Sequence, residues 1–342
     1  MRSSTFALCA LLWVAVSSAF GQEPRIIRQP IAVFVAEKGD GPGKSIFRVS
    51  ASSDGQLVAV ARIDGSVSVH SPGKEFALFT TPPADDRRLS PFCAPQFSAQ
   101  GDWLAYASGG GRVEIVAART GKPRTTIKLP DARVEGIDAL AFSPDGKTLA
   151  ISSGVLYHKD LRVFDAATGK LLGQPLSNVD GVAWQLAFSP DGQRMIANHW
   201  NTLYLIDVPA LKLAAKIPSK TFTVFFKDGG TFAIDEDSSA IREVTAEGIR
   251  KTPAGTFLEK SEPLVAMRSA LGGEPPVVAV PAGNAVSVRN LQGKELYRVH
   301  GDESPIRKLG LSADGRTLIV DRHPTRAEVF RLESNDRGAR RR

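Results

Sequence analysis

Cysteine is nearly missing from this chain, with Cys9 and Cys93 the only two in 342 residues. Cys9 lies in an N-terminal leader, so without that leader Cys93 has no internal disulfide partner and the core has to hold without staples. Cys93 sits in the apolar stretch Cys93-Ala94-Pro95-Gln96-Phe97 with no basic residue beside it, which reads as a buried, inert thiol. Long apolar runs are also scarce. The leader run Phe6 to Val16 has eleven residues, and a spanning helix needs about 20, so no transmembrane segment is expected. The five histidines, His70, His158, His199, His300 and His323, form no His-x-x-x-His, and there is no Cys-x-x-Cys pair, so neither a metal nor a cofactor is expected. Nucleophile-elbow, phosphate-loop and dinucleotide fingerprints are missing too, and the chain is read as a non-enzyme. Asp235-Glu236-Asp237 lacks a glycine-containing ligand loop and reads as a solvated turn rather than a calcium site.

A strong charge of one sign is likewise absent. The net charge is +7; setting aside Arg2 and the net +2 of residues 333–342 leaves +4 on the body. That is the balance of a soluble surface and excludes a nucleic-acid footprint. Residues 1–21 have the order of an export signal: Arg2, the apolar run, then Ala19-Phe20-Gly21 with small residues at a cleavage site after Gly21, or alternatively after Ala19. A periplasmic or secreted location follows as an expectation. Residues 22–30 read as a linker, and residues 333–342, with Arg337, Arg340, Arg341 and Arg342, as a basic tail. The tail is read as a solvated terminus, with weak contact to anionic envelope surfaces as the alternative.

What the chain does have is repetition. Phe142-Ser143-Pro144-Asp145-Gly146 returns as Phe188-Ser189-Pro190-Asp191-Gly192. Fainter copies end at Gly55, Gly101, Gly229 and Gly315, and a seventh unit around Gly273 keeps only glycines. The glycines are spaced by 46, 45, 46, 37, 44 and 42 residues, a mean of about 43 that matches four-stranded propeller blades. Each marker is a turn: serine opens it, Pro144 or Pro190 fixes φ at the second position, Asp145 or Asp191 follows, and glycine takes the positive φ that closes the hairpin. Apolar runs on both sides, such as Leu149-Ala150-Ile151 and Leu161-Arg162-Val163-Phe164, have strand and not helix periodicity. The whole reads as an all-β, seven-bladed β-propeller over residues 31–332, built of four-stranded antiparallel blades. The last copy stops after its third strand, and Ile31 to Val35 is a spare strand expected to complete it and close the ring.

Phe142 to Lys170, with Phe-Ser-Pro-Asp-Gly-Lys and Leu-Arg-Val-Phe-Asp-Ala-Ala-Thr-Gly-Lys, resembles the WD40-repeat β-propeller family, especially its exported bacterial members. Phe164-Asp165 and Ile206-Asp207 stand where that family has Trp-Asp, and His300-Gly301 is an altered Gly-His element. The resemblance implies that loops between second and third strands, and those joining blades, gather on one face. On that face it places Tyr157, His158, His199, Trp200, Arg322, His323, Arg87, Arg88 and Arg133 as partner-binding candidates. Trp200 is the sharpest, since tryptophan, tyrosine and arginine dominate hot spots; a tryptophan folded onto the blade edge is its alternative. Trp103 and Trp184 are expected in the core. The resulting expectation is a monomeric, exported scaffold that binds an unidentified protein. The alternative is a propeller hydrolase, lactonase-like enzyme or small-ligand binder working at the central channel.

Overall fold

Short runs of β-branched and small residues, interrupted every few residues by Asp-Gly turns, can bury one face only by pairing in antiparallel hairpins and stacking sheet on sheet. The computed structural model describes residues 23–35, 46–84, 93–129, 136–155, 158–179, 183–199, 202–218, 223–227, 230–234, 241–245, 248–250, 270–272, 277–290, 293–312, 314–322 and 326–332. Every regular element among them is a strand, and the strands assort into seven sheets. Numbered as blades in chain order, the third shows the pattern: Ile137–Phe142, Thr148–Val155, His158–Asp165 and Leu171–Val179 pair consecutively and antiparallel. First strands contact the first strands of neighbouring blades, which makes them the innermost elements around the axis. The hydrophobic core is correspondingly divided. Leu57, Val69, Leu104 and Val116 pack between blades 1 and 2; Ile115, Leu140, Ile151 and Phe164 pack between 2 and 3; Ala150, Val163, Leu186 and Ile206 pack between 3 and 4.

The expected closure is present. Ala32–Val35 pairs antiparallel with Arg326–Arg331, supplying the fourth strand of blade 7, and Val49, Val58 and Val60 of blade 1 pack against Ile319, Ala327 and Val329 of blade 7. The segment 22–30 is more than a linker, which corrects the reading from sequence. Arg25–Ile27 pairs in parallel with Glu295–His300 and becomes a fifth strand on blade 6. Its Ile27 packs against the cluster of Val286, Val299 and Phe330, an apolar contact that a three-residue run does not advertise.

The repeated turns are held by more than glycine. Ser143 Oγ donates to Asp145 Oδ1 at 2.7 Å and accepts the Thr148 N–H at 3.0 Å, while Asp145 Oδ1 also accepts the Lys147 N–H at 3.0 Å. Ser52, Ser189 and Ser312 repeat this arrangement with Asp54, Asp191 and Asp314. The serines are buried, and Gly55, Gly101, Gly146, Gly192 and Gly315 have φ between 64° and 77°; Gly229 lies outside the described residues. In blade 2 the aspartate is replaced by Gln100, whose side chain donates to Pro144 O of blade 3 at 2.9 Å. Ser53 joins the same belt, donating to Ala99 O of blade 2 and accepting the Asp314 N–H of blade 7. The Ser143 hydrogen bond holds the Asp145 carboxyl below its ordinary range, and Ser189 does the same for Asp191.

We expect Ser143→Ala to cost about 1–2 kcal/mol, because it strips the half-buried Thr148 N–H of its acceptor. Urea unfolding should show the midpoint falling, whereas Ser143→Thr, which keeps the hydroxyl, should fall less. At the seam between blades 7 and 1, the Phe34 ring of the closing strand lies 4.6 Å from the His70 ring, centroid to centroid. Burial, with Arg62 adding to it, pushes His70 down to about 4. A histidine lowered in the fold stabilises fully above its unfolded value of about 6.5 and loses that contribution as pH falls towards 4. Asp145 and Asp191, held below 3.8, stay ionised through this window. The urea midpoint should therefore drop between pH 7 and pH 4.5, and His70→Phe should flatten that drop.

Candidate functional site

The ends of the second strands and the starts of the first strands meet on the face opposite the Ser-Asp-Gly turns. Four first strands carry the same irregularity there: an extra residue opens the register at Phe47 in blade 1, Asp138 in blade 3, Trp184 in blade 4 and Arg307 in blade 7. A bulge re-aims side chains relative to the regular alternation of a strand. In Ile306–Leu311, Ile306 and Leu309 are buried in the cluster between blades 6 and 7, leaving Arg307 and Lys308 together between them.

These groups converge towards the axis. Arg307 binds both oxygens of Asp321 at 2.9 and 3.0 Å and also donates to Ile46 O of blade 1 at 3.2 Å, tying the seam between blades 7 and 1. The Arg48 guanidinium of blade 1 acts electrostatically on Lys308, and the Asp138 carboxylate of blade 3 on Cys93 at the start of blade 2. Burial pushes the Cys93 thiol up to about 12, as befits the inert thiol expected. Burial, reinforced by Arg48, brings the Lys308 amine down to about 8, and burial raises Asp321 against the opposing pull of Arg307. As a whole residue Lys308 is half-buried. Among the described residues no group of three or more His, Cys, Asp or Glu side chains could hold a metal.

Beside this channel lip lie two of the partner candidates, and both are corrected. His199 ends the second strand of blade 4, is fully buried, and sets its ring edge-on to Tyr204 at 5.1 Å. Arg322 occupies the equivalent place in blade 7 and is also buried, because Glu328 provides a counter-charge that the sequence did not pair with it. Its Nε donates to Glu328 at 2.8 Å, Nη1 to Ser304 O at 2.6 Å and Nη2 to Asn284 O of blade 6 at 3.0 Å. Glu328 accepts further bonds from the Asp302 N–H and from Arg326 at 3.1 Å. A Cβ at position 301 would overlap Glu328 Oε2, so the glycine of His300-Gly301 leaves the room this pair needs.

His158 is likewise not in a loop: its backbone pairs with Val155 at the tip of an extended hairpin. Tyr157, Trp200, His323, Arg87, Arg88 and Arg133 lie outside the described residues, as do Asp235 to Asp237 and the basic tail. Trp103, expected in the core, is half-buried, packs against the cluster between blades 2 and 3 and carries the Arg124 guanidinium 4.1 Å above its ring. The channel-lip residues Arg48, Asp138, Arg307, Lys308 and Asp321 were missed from sequence. A basic pair, Arg307-Lys308, interrupting an otherwise apolar inner strand is the one signal that marks them.

No known family profile and no curated protein matches the chain. Among solved structures it is similar to the Cps50 (Swd1) β-propeller domain of Myceliophteria thermophila, with a TM-score of 0.64 and 12% identity over 88% of this chain and 100% of that one. At that identity the similarity shows the fold: the chain is a β-propeller.

The buried pair sets a stability prediction. Arg322→Met leaves the buried Glu328 with only the half-buried Arg326 as counter-charge and should cost about 3 kcal/mol in urea unfolding, the low end for breaking a buried pair. Adding Glu328→Gln should restore a substantial part, because the stranded charge is then gone.

Proposed function

We propose that this propeller is a non-catalytic scaffold that binds another protein through the face carrying the loops between second and third strands. The asymmetry between its two faces carries this reading. On one face the same Ser-Asp-Gly hydrogen bonds recur in blades 1, 3, 4 and 7 and link neighbouring turns. Those groups are spent on the fold itself. The other face has strand ends braced by Arg322 and Glu328, and the WD40 resemblance assigns to it the loops that carry Tyr157, Trp200, Arg87, Arg88 and Arg133. A rigid frame with variable loops suits recognition, since positioning entropy is already lost before the partner arrives. The resemblance to WD40 repeats supports the same function, and the leader at residues 1–21 supports its exercise outside the cytoplasm.

The test is co-purification of the full chain from an extracytoplasmic fraction, beside Tyr157→Ala/Trp200→Ala and, on the turn face, Lys147→Ala. His199 and Arg322 are unsuitable probes because they are buried. We expect one protein to be retained by the parent and by Lys147→Ala, and to be lost from the double variant with an unchanged urea midpoint. Equal retention by all three, or by none, would overturn the reading.

A further inference from the structure

Each blade ends on an outer strand with an unpaired far side, and such an edge invites another chain to pair unless it is guarded. Among the described residues most edges of this ring are guarded. The outer strand of blade 1, Phe79–Thr80, has two residues and runs into Pro82-Pro83. Blade 2 ends on Pro123–Lys128, which has an irregular register and carries Pro123, Arg124 and Lys128. Leu171–Val179 of blade 3 shifts register between Leu172 and Leu176, where Pro175 lies. Lys212–Pro218 of blade 4 exposes Lys212, Lys216 and Pro218, and Gly248–Arg250 of blade 5 is three residues long and ends on arginine. Blade 6 is covered by Arg25–Ile27, itself flanked by the exposed Arg28.

Blade 7 is the exception. From Ile31 through its edge strand Ala32–Val35 there is no charge and no proline, and no described strand pairs on the far side. Ala32 and Phe34 pack inward on the seam with blade 1, while the alternate residues Ile31, Val33 and Val35 are 40%, 40% and 55% exposed. A second copy of the chain is the occupant this pattern fits. Two identical strands meeting about a two-fold axis must be self-complementary, and the pleat puts directly opposed residues on the same face. The exposed set 31, 33 and 35 is symmetric about Val33. Antiparallel pairing centred there sets Ile31 opposite Val35, Val33 opposite its counterpart and Ala32 opposite Phe34, with no like charges facing. The same operation on Lys212–Pro218 would set Lys212 opposite Lys216, which is unfavourable.

In place of the monomer expected from the sequence, we propose that the edge of blade 7 is a self-association surface, through which two copies of this chain pair strand to strand, antiparallel and centred on Val33. The sheet of blade 7 then continues into that of the second copy. The surface lies on the outer rim, so it can be occupied whether or not a protein docks on the loop face. A contact of this size belongs with weak, reversible interfaces.

Sedimentation velocity of the purified full chain reads the association. We expect the weight-average mass to be that of one copy at about 1 µM and to approach that of two at about 100 µM, as suits a small contact. Val33→Lys, which sets two ammonium groups opposite each other, should weaken association by about tenfold or more. Its urea midpoint should be unchanged, because the side chain faces outward. Val33→Thr, uncharged and β-branched, should keep most of the association, and Leu213→Lys, at a comparably exposed position on the edge of blade 4, should not affect it. Val33→Cys gives a second reading that does not depend on how Val33→Lys folds. Mild oxidation should link two copies through position 33, identified by peptide mass spectrometry, because opposed residues of an antiparallel pair lie within the reach of a disulfide; Leu213→Cys should stay unlinked. A mass of one copy throughout the range, association unchanged in Val33→Lys, or no link through position 33 would each sink the proposal. So would a different protein that the parent retains and Val33→Lys loses while the chain itself stays single, since the edge would then serve a partner's strand.

Discussion

A ring of sheets is stable only if its two ends meet, and here the meeting is made by a strand from the other end of the chain. Ala32–Val35 adds to blade 7, and the apolar seam between blades 7 and 1 is then filled from both sides by Val49, Val58, Val60, Ile319 and Val329. Without that strand the third strand of blade 7 would present an unpaired edge. The seam also gathers the less ordinary chemistry of the molecule: the Phe34–His70 contact, Arg307 reaching across to Ile46, and Gly55 lying against Thr317. Closing the ring and shaping the channel lip are therefore achieved by the same pair of blades.

The two faces solve different problems. On the turn face, a serine hydroxyl and an aspartate oxygen satisfy backbone N–H groups that a tight turn would otherwise leave without partners, and the solution is copied from blade to blade. On the loop face the final blade relies on a buried ion pair, Arg322–Glu328, bonded to the backbone of its own linker and of blade 6. Burying such a pair favours one arrangement of the surrounding groups more surely than it adds stability. It stands beside His300-Gly301, the altered Gly-His element, and Gly301 serves it by leaving room for the carboxylate.

Exposure was the hardest property to read in advance. His199 and Arg322 are polar residues close to loops, and polar residues near loops are ordinarily exposed. Both end their strands and are buried because Tyr204 and Glu328, distant by five and six residues, come back across a hairpin to cover them. His158 moved from loop to strand for a related reason: the hairpin of blade 3 extends to a Val155–His158 pairing, further than the apolar pattern alone extends.

Local turn chemistry and a period of about 43 residues were enough to establish from sequence the all-β class, the order of strands, the turns at Gly55, Gly101, Gly146, Gly192 and Gly315, and closure by the strand at 31–35. These follow from short-range constraints, because a Ser-Pro-Asp-Gly turn and alternating apolar residues restrict the backbone wherever they occur. The tertiary structure alone decided that Arg322 and Glu328 are partners, that Arg25–Ile27 joins blade 6, and that Arg307 of blade 7 reaches both Asp321 and Ile46 O of blade 1. Those contacts join residues far apart in the chain, and their electrostatics depend on burial, which exists only once the ring has closed.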